Sequence, residues 1–191
     1  MWAALAVVVA LVAASCQQPP SPTIADRAGG CTVGIVGDSL AVGSMPYWDE
    51  AFTSRGCELS FVNARGGRPT LEGVELIEQL ARLGWLPKVL VVALGPNDPI
   101  DPRLFGPLVQ RVMAAAGDRP VVWVNIDKPF VEHTLNWALR LAGELDPDFY
   151  VYDWNGVADA FPQLRVADRI HLTEGGYRLR AELIARHITN R

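Results

Sequence analysis

Lysine is almost missing from this chain of 191 residues: Lys88 and Lys128 are the only two. Nor is there an excess of positive charge, with 17 basic residues against 21 acidic ones and a formal net charge of -4. That balance excludes a domain built to grip nucleic acid, so no nucleic-acid partner is expected. Cysteine and histidine are scarce, with three of each. No apolar run reaches the roughly 20 residues that cross a bilayer comfortably. There is no G-x-G-x-x-G dinucleotide loop, no phosphate loop ending in Gly-Lys-Ser/Thr, and no G-x-S-x-G elbow. What the chain does have is 50% apolar and 20% charged residues. That composition suits one compact domain with a sizeable core.

The first fifteen residues, MWAALAVVVALVAAS, carry no charged side chain. The run suits the apolar core of an export signal. Small residues then precede Cys16, and a polar, Pro-rich stretch follows it (QQPPSPTIADRAGG). This arrangement resembles a bacterial lipoprotein signal, which would make Cys16 the lipidated amino terminus and give the protein a membrane anchor. A plain secretory signal is the alternative. The expected organisation is therefore a signal over 1–15, a flexible tether over 16–30 and a folded domain over 31–191. If Cys16 takes lipid, Cys31 and Cys57 remain as a candidate disulfide in an oxidising compartment, the alternative being two buried thiols. Each stands just before a predicted strand, so neighbouring parallel strands would bring them together.

From residue 32 the chain alternates between short apolar runs and helical periods. Runs at 32–36 (TVGIV), 59–63 (LSFVN), 88–94 (KVLVVAL), 120–126 (PVVWVNI) and 149–153 (FYVYD) predict five strands. Helices are expected at about 42–55, 71–83, 103–116, 132–144 and 175–188. The second of these places Leu71, Val74, Ile77, Leu80 and Ala81 on one face, which is the 3.6-residue period. Alternation of this kind predicts one α/β domain of three layers, α/β/α, around a five-stranded parallel sheet. Function is then expected in the loops at the carboxyl ends of the strands.

Four of those regions carry chemistry. Gly37-Asp38-Ser39-Leu40 ends the first strand and sets Ser39 near a helix amino end, where unpaired N–H groups face developing negative charge. Its plain alternative is a helix cap. Asn63-Ala64-Arg65-Gly66-Gly67-Arg68 ends the second strand with a glycine pair. Gly95-Pro96-Asn97-Asp98 ends the third and puts the Asn97 amide beside the crevice. Asp168-Arg169-Ile170-His171 precedes the last helix, with a spacing that lets the carboxylate hold one imidazole nitrogen while the other faces outward. His133 and His187 read as surface or helix-end residues. Together the four supply a hydroxyl nucleophile, a base, an orienting carboxylate and N–H donors, the parts that acyl transfer through serine requires. Asp38, Asp98, Asp168 and His171 also permit a rival reading as ligands of a divalent metal, though Ser39 and Asn97 then lose their roles.

In these four elements the chain resembles the SGNH (GDSL-type) hydrolase superfamily, over roughly residues 32–188. The resemblance implies the flavodoxin-like SGNH fold, with Ser39, Asp168 and His171 catalytic. It implies an oxyanion hole of the Ser39 and Gly67 N–H groups and the Asn97 amide, with Gly66 as the other register for the glycine. Neither a cofactor nor a metal is implied. Stretches such as VVALGPND, VVWVNIDKP, VYDWN and IHLTEG are similar to the extracytoplasmic SGNH domain of bacterial cell-wall O-acetyltransferases. That likeness implies an exported envelope protein acting on acyl esters of a glycan or glycolipid, with a membrane-embedded acyl-transfer protein as a partner. Hydrolysis, transfer to a sugar hydroxyl and glycan binding without turnover all remain open. Pro96 departs from the threonine usual in that subgroup and removes one N–H near the oxyanion region. Arg65 and Arg68, for an anionic glycan, and Trp48, for stacking on a sugar, are the expected substrate contacts; Trp123 and Trp154 are expected in the core.

Overall fold

The computed structural model describes residues 21–190. The expected signal, and Cys16 with its lipid, lie outside them. Among the described residues no helix is long and apolar enough to cross a membrane.

Five strands form one parallel sheet in the order β2-β1-β3-β4-β5. They are β1 (Thr32–Gly37), β2 (Glu58–Ala64), β3 (Val89–Ala93), β4 (Val121–Val124) and β5 (Phe149–Tyr152). Helices α1 (Ile24–Arg27), α2 (Ser39–Thr53) and α7 (Glu174–Thr189) cover one face. The other carries α3 (Thr70–Arg82), α4 (Pro102–Ala116) and α5 (Glu132–Leu145). A short α6 (Trp154–Ala160) follows β5.

The central strands divide their side chains by the two-residue period of extended backbone. Val89, Val91 and Ala93 of β3 enter the core under α2 and α7, while Leu90 and Val92 enter the core under α3, α4 and α5. Every residue of β3 is buried, which is why its sequence is continuously apolar. At the edge, β2 is buried at none of its seven positions.

Helix α2 starts three residues earlier than the sequence period suggested. Gly43 and Pro46 weaken the helical signal there, but Asp38 accepts a hydrogen bond from Leu40 N at 2.9 Å and caps the helix. Gly37 is required at this strand-to-helix turn, because a Cβ there would stand 2.3 Å from the Ala41 Cβ.

The expected tether also needs correcting over the part that is described. Thr23 caps α1 through a reciprocal capping box with Asp26, and Ile24 is buried in the core. Pro and Gly composition masked this short docked helix.

Cys31 and Cys57 are joined in a disulfide, with Cα atoms 4.7 Å apart. They immediately precede β1 and β2, and Glu58 N donates to Cys31 O at 2.8 Å, so the sheet itself aligns them. With the partners 26 positions apart, the Cys31→Ala, Cys57→Ala double variant is expected to lose about 3 kcal/mol of unfolding free energy. Urea denaturation of the oxidised parent and the variant measures this; equal midpoints and slopes would contradict it.

Candidate active site

The sheet order reverses direction between β1 and β3, and the loops that leave these two strands diverge to opposite faces. A crevice opens where they part. Ser39 follows β1 there, as the first residue of α2.

The Ser39 Oγ lies 3.1 Å from His171 Nε2, and His171 Nδ1 lies 2.8 Å from Asp168 Oδ2. Residues 132 positions apart thus form one hydrogen-bonded line. The carboxylate places the imidazole proton on Nδ1, leaving Nε2 to accept from the serine hydroxyl. Asp168 also accepts from Ile170 N and His171 N, both at 2.9 Å. Its hydrogen bond to His171, followed by those two backbone bonds, pulls its pKa from 3.8 to about 2. The turn passes through Arg169 at φ 62, a left-handed conformation uncommon outside glycine.

Two residues with no role in the sequence reading hold this loop in place. Arg165 bonds to Asp127, just beyond β4, and to the exposed Asp159. Asp127 is buried and the Arg165 side chain is 10% exposed, so breaking the pair would strand a buried charge. Arg165 pairs with Leu172 as an isolated antiparallel bridge, and Val166 N donates to His171 O at 2.9 Å. The Asp127–Arg165 contact spans 38 positions, and no local pattern announces it.

Asp38 is 1% exposed, and burial raises its pKa, partly offset by the Leu40 N–H and then by the charge of Arg180. Its second oxygen lies 3.4 Å from Asn97 Nδ2, which also donates to Arg68 O at 3.2 Å. The Asn97 side chain therefore sits between the turns that follow β1 and β2. Asp98 ties the loop after β3 to the start of α3: its carboxylate accepts from Thr70 N at 2.9 Å and from the Thr70 hydroxyl. That bond caps α3, whose own cap residue, Pro69, offers no side-chain acceptor. Lys128 donates to Pro96 O and ties the loop after β4 to the loop after β3. Of the glycine pair, Gly67 takes the left-handed φ of 69, and a Cβ on either residue would meet open space.

The expected substrate contacts fare differently. Trp48 is fully buried, and its Nε1 donates to Ala41 O at 3.2 Å, so it packs the core beneath α2 and cannot stack on a sugar. Arg68 is 7% exposed, and its guanidinium donates to Gly37 O at 3.0 Å and to Asn63, clamping β1 to the loop after β2. Both readings are corrected by burial. Arg65 is exposed and paired with Glu72. Trp123 and Trp154 are in the core. His133 is exposed, whereas His187 is half-buried against the Tyr152 ring and burial lowers its pKa. The metal reading loses its donors: Asp38 and Asp98 are engaged as caps, and no group of three or more His, Cys, Asp or Glu among the described residues is placed to hold a metal ion.

This architecture is an SGNH (GDSL-type) hydrolase-like fold, a three-layer α/β/α structure on a five-stranded parallel sheet. The chain is similar to the C-terminal catalytic domain of Streptococcus pneumoniae peptidoglycan O-acetyltransferase A, solved with a methylsulfonyl adduct (TM-score 0.69, 22% identity, 84% of this chain and 93% of that one covered). It is also similar to a G-D-S-L family protein from Desulfitobacterium hafniense (TM-score 0.67, 18% identity, 83% of this chain and 99% of that one covered). A third likeness is to a family 3 carbohydrate esterase from Clostridium thermocellum (TM-score 0.66, 14% identity, 83% and 98% covered). No protein-family model and no curated protein matches the chain in sequence.

Proposed function

We propose that the protein is a serine-dependent esterase acting on short acyl esters of a cell-envelope glycan or glycolipid. The observation that supports this most is the unbroken Asp168–His171–Ser39 line, at 2.8 and 3.1 Å. His171 takes the Ser39 proton as Oγ attacks the ester carbonyl. The N–H groups of Ser39 and Gly67 and the Asn97 amide receive the oxyanion. As the tetrahedral intermediate collapses, the bond to the alcohol breaks and His171 passes its proton to the departing oxygen. Water then attacks the acyl-enzyme with His171 again as base, and the acid leaves. Asp168 holds the imidazole tautomer throughout. No cofactor or metal enters this sequence.

Transfer of the acyl group to a sugar hydroxyl uses the same acyl-enzyme and differs only in the acceptor. The likeness to a peptidoglycan O-acetyltransferase domain favours keeping this second reading. Under it, the acyl group arrives from a membrane-embedded partner. The disulfide supports an oxidising, extracytoplasmic location, where Cys16 would anchor the protein by lipid.

The purified protein is expected to hydrolyse a 4-nitrophenyl short-acyl ester equally well with and without a chelator. The pKa of Asp168 is depressed in the folded protein, so its carboxylate stays ionised as pH falls past 3.8 and protonates only near 2. The interaction it makes is present above 3.8 and lost toward 2. The kcat/KM profile should accordingly show no acid step centred on 3.8. Absence of turnover, or turnover abolished by chelator, overturns the proposal.

A further inference from the structure

Beside the crevice, between the amino-terminal halves of α3 and α4, lies an open cavity of about 450 Å³. Pro69 and Leu71 form one wall, Leu104, Phe105 and Leu108 the other, and Pro99 lies between them. Only two polar side chains border it, and both are engaged: Glu72 is paired with Arg65, and Asp98 is bonded to Thr70. Leu71 is 44% exposed and Leu104 58%, and they face a shared concavity whose surface is almost wholly apolar. Burying a sugar there would cost its hydrogen bonds to water without replacement.

The cavity is continuous in sequence with both proposed oxyanion donors. Pro69 is two residues beyond Gly67 and follows Arg68, whose carbonyl accepts the Asn97 amide. Asp98 and Pro99 directly follow Asn97. Residues that closely follow both proposed oxyanion donors thus build its wall.

We propose that the cavity receives the acyl chain of the substrate, which therefore carries a straight acyl group of several carbons rather than acetyl. This rests on the esterase reading above and adds the nature of the acid. The sugar, by the same argument, lies outside the cavity as the leaving alcohol.

The test is a series of 4-nitrophenyl acetate, butyrate and hexanoate with the purified protein, alongside Leu71→Asp and Leu104→Asp. Both leucines are exposed, one on each wall, so either change leaves the core intact. Each methylene buried should raise kcat/KM about fourfold, the equivalent of about 0.8 kcal/mol. The hexanoate-to-acetate ratio should then reach the order of 10² in the parent and fall at least tenfold in both variants. A parent that prefers acetate, or a ratio unmoved by both variants, overturns the acyl-chain assignment and leaves the esterase reading standing. Failure to hydrolyse any of the three esters overturns the esterase reading and this one with it.

Discussion

Ser39→Ala is expected to lower kcat/KM for a 4-nitrophenyl ester by at least about 10⁴-fold, because a triad acts as a unit and its nucleophile has no substitute. The other serine of α2, Ser44, is buried and donates its hydroxyl to Leu40 O at 3.1 Å, so it cannot stand in. The fold should survive. Asp38 still caps α2 through Leu40 N, and alanine is a good helix former in the position Ser39 occupies. Thermal unfolding of the variant should therefore match that of the parent to within about 0.5 kcal/mol. A variant that keeps its fold and retains turnover within tenfold of the parent would remove Ser39 from the chemistry.

Asn97→Ala is the second large effect: kcat should fall by about 10²–10³, with KM changed far less. An oxyanion donor acts on charge that develops in the transition state, so its loss appears in kcat. Asn97 Nδ2 also donates to Arg68 O at 3.2 Å, and a purely structural role would loosen the two loops instead. Those loops have other links. Arg68 remains bonded to Gly37 O and Asn63, and Asp98 remains bonded to Thr70. Steady-state kinetics on a soluble ester separates the cases. A rise in KM at constant kcat would contradict the oxyanion role.

Much of the fold was legible because the central strands are covered on both faces and so read as unbroken apolar runs. Where the chain departs from that simplicity, the reading slipped. Pro46 and Gly43 obscured the start of α2, which a single hydrogen bond from Leu40 N to Asp38 fixes. Ile24 sits in a Pro- and Gly-rich stretch whose composition suggested a tether, yet it is buried. The short α6 went unpredicted because its seven residues make only about two turns, too few for a helical period to show.

The same distinction holds at the site. Ser39, Asn97, Asp168 and His171 stand at loop positions that the alternation of elements makes conspicuous. Arg68 looked like a surface cation because its acceptors, Gly37 O and Asn63, are supplied by strands that meet only in the fold. Trp48, by contrast, left a signal that could have been used. With Leu40, Ala41, Ser44, Ala51 and Phe52 it lies on one helical face, and that face is buried. The Asp127–Arg165 pair left none, since it joins the end of β4 to the loop before α7 across 38 residues.

The most direct measurement is mass-spectrometric mapping of the adduct formed when the purified protein is treated with a fluorophosphonate. A serine activated by His171 should carry the label at Ser39, and His171→Ala should abolish it while leaving the protein folded. An unlabelled Ser39 in active protein, or equal labelling without the imidazole, would contradict the proposed chemistry of the site.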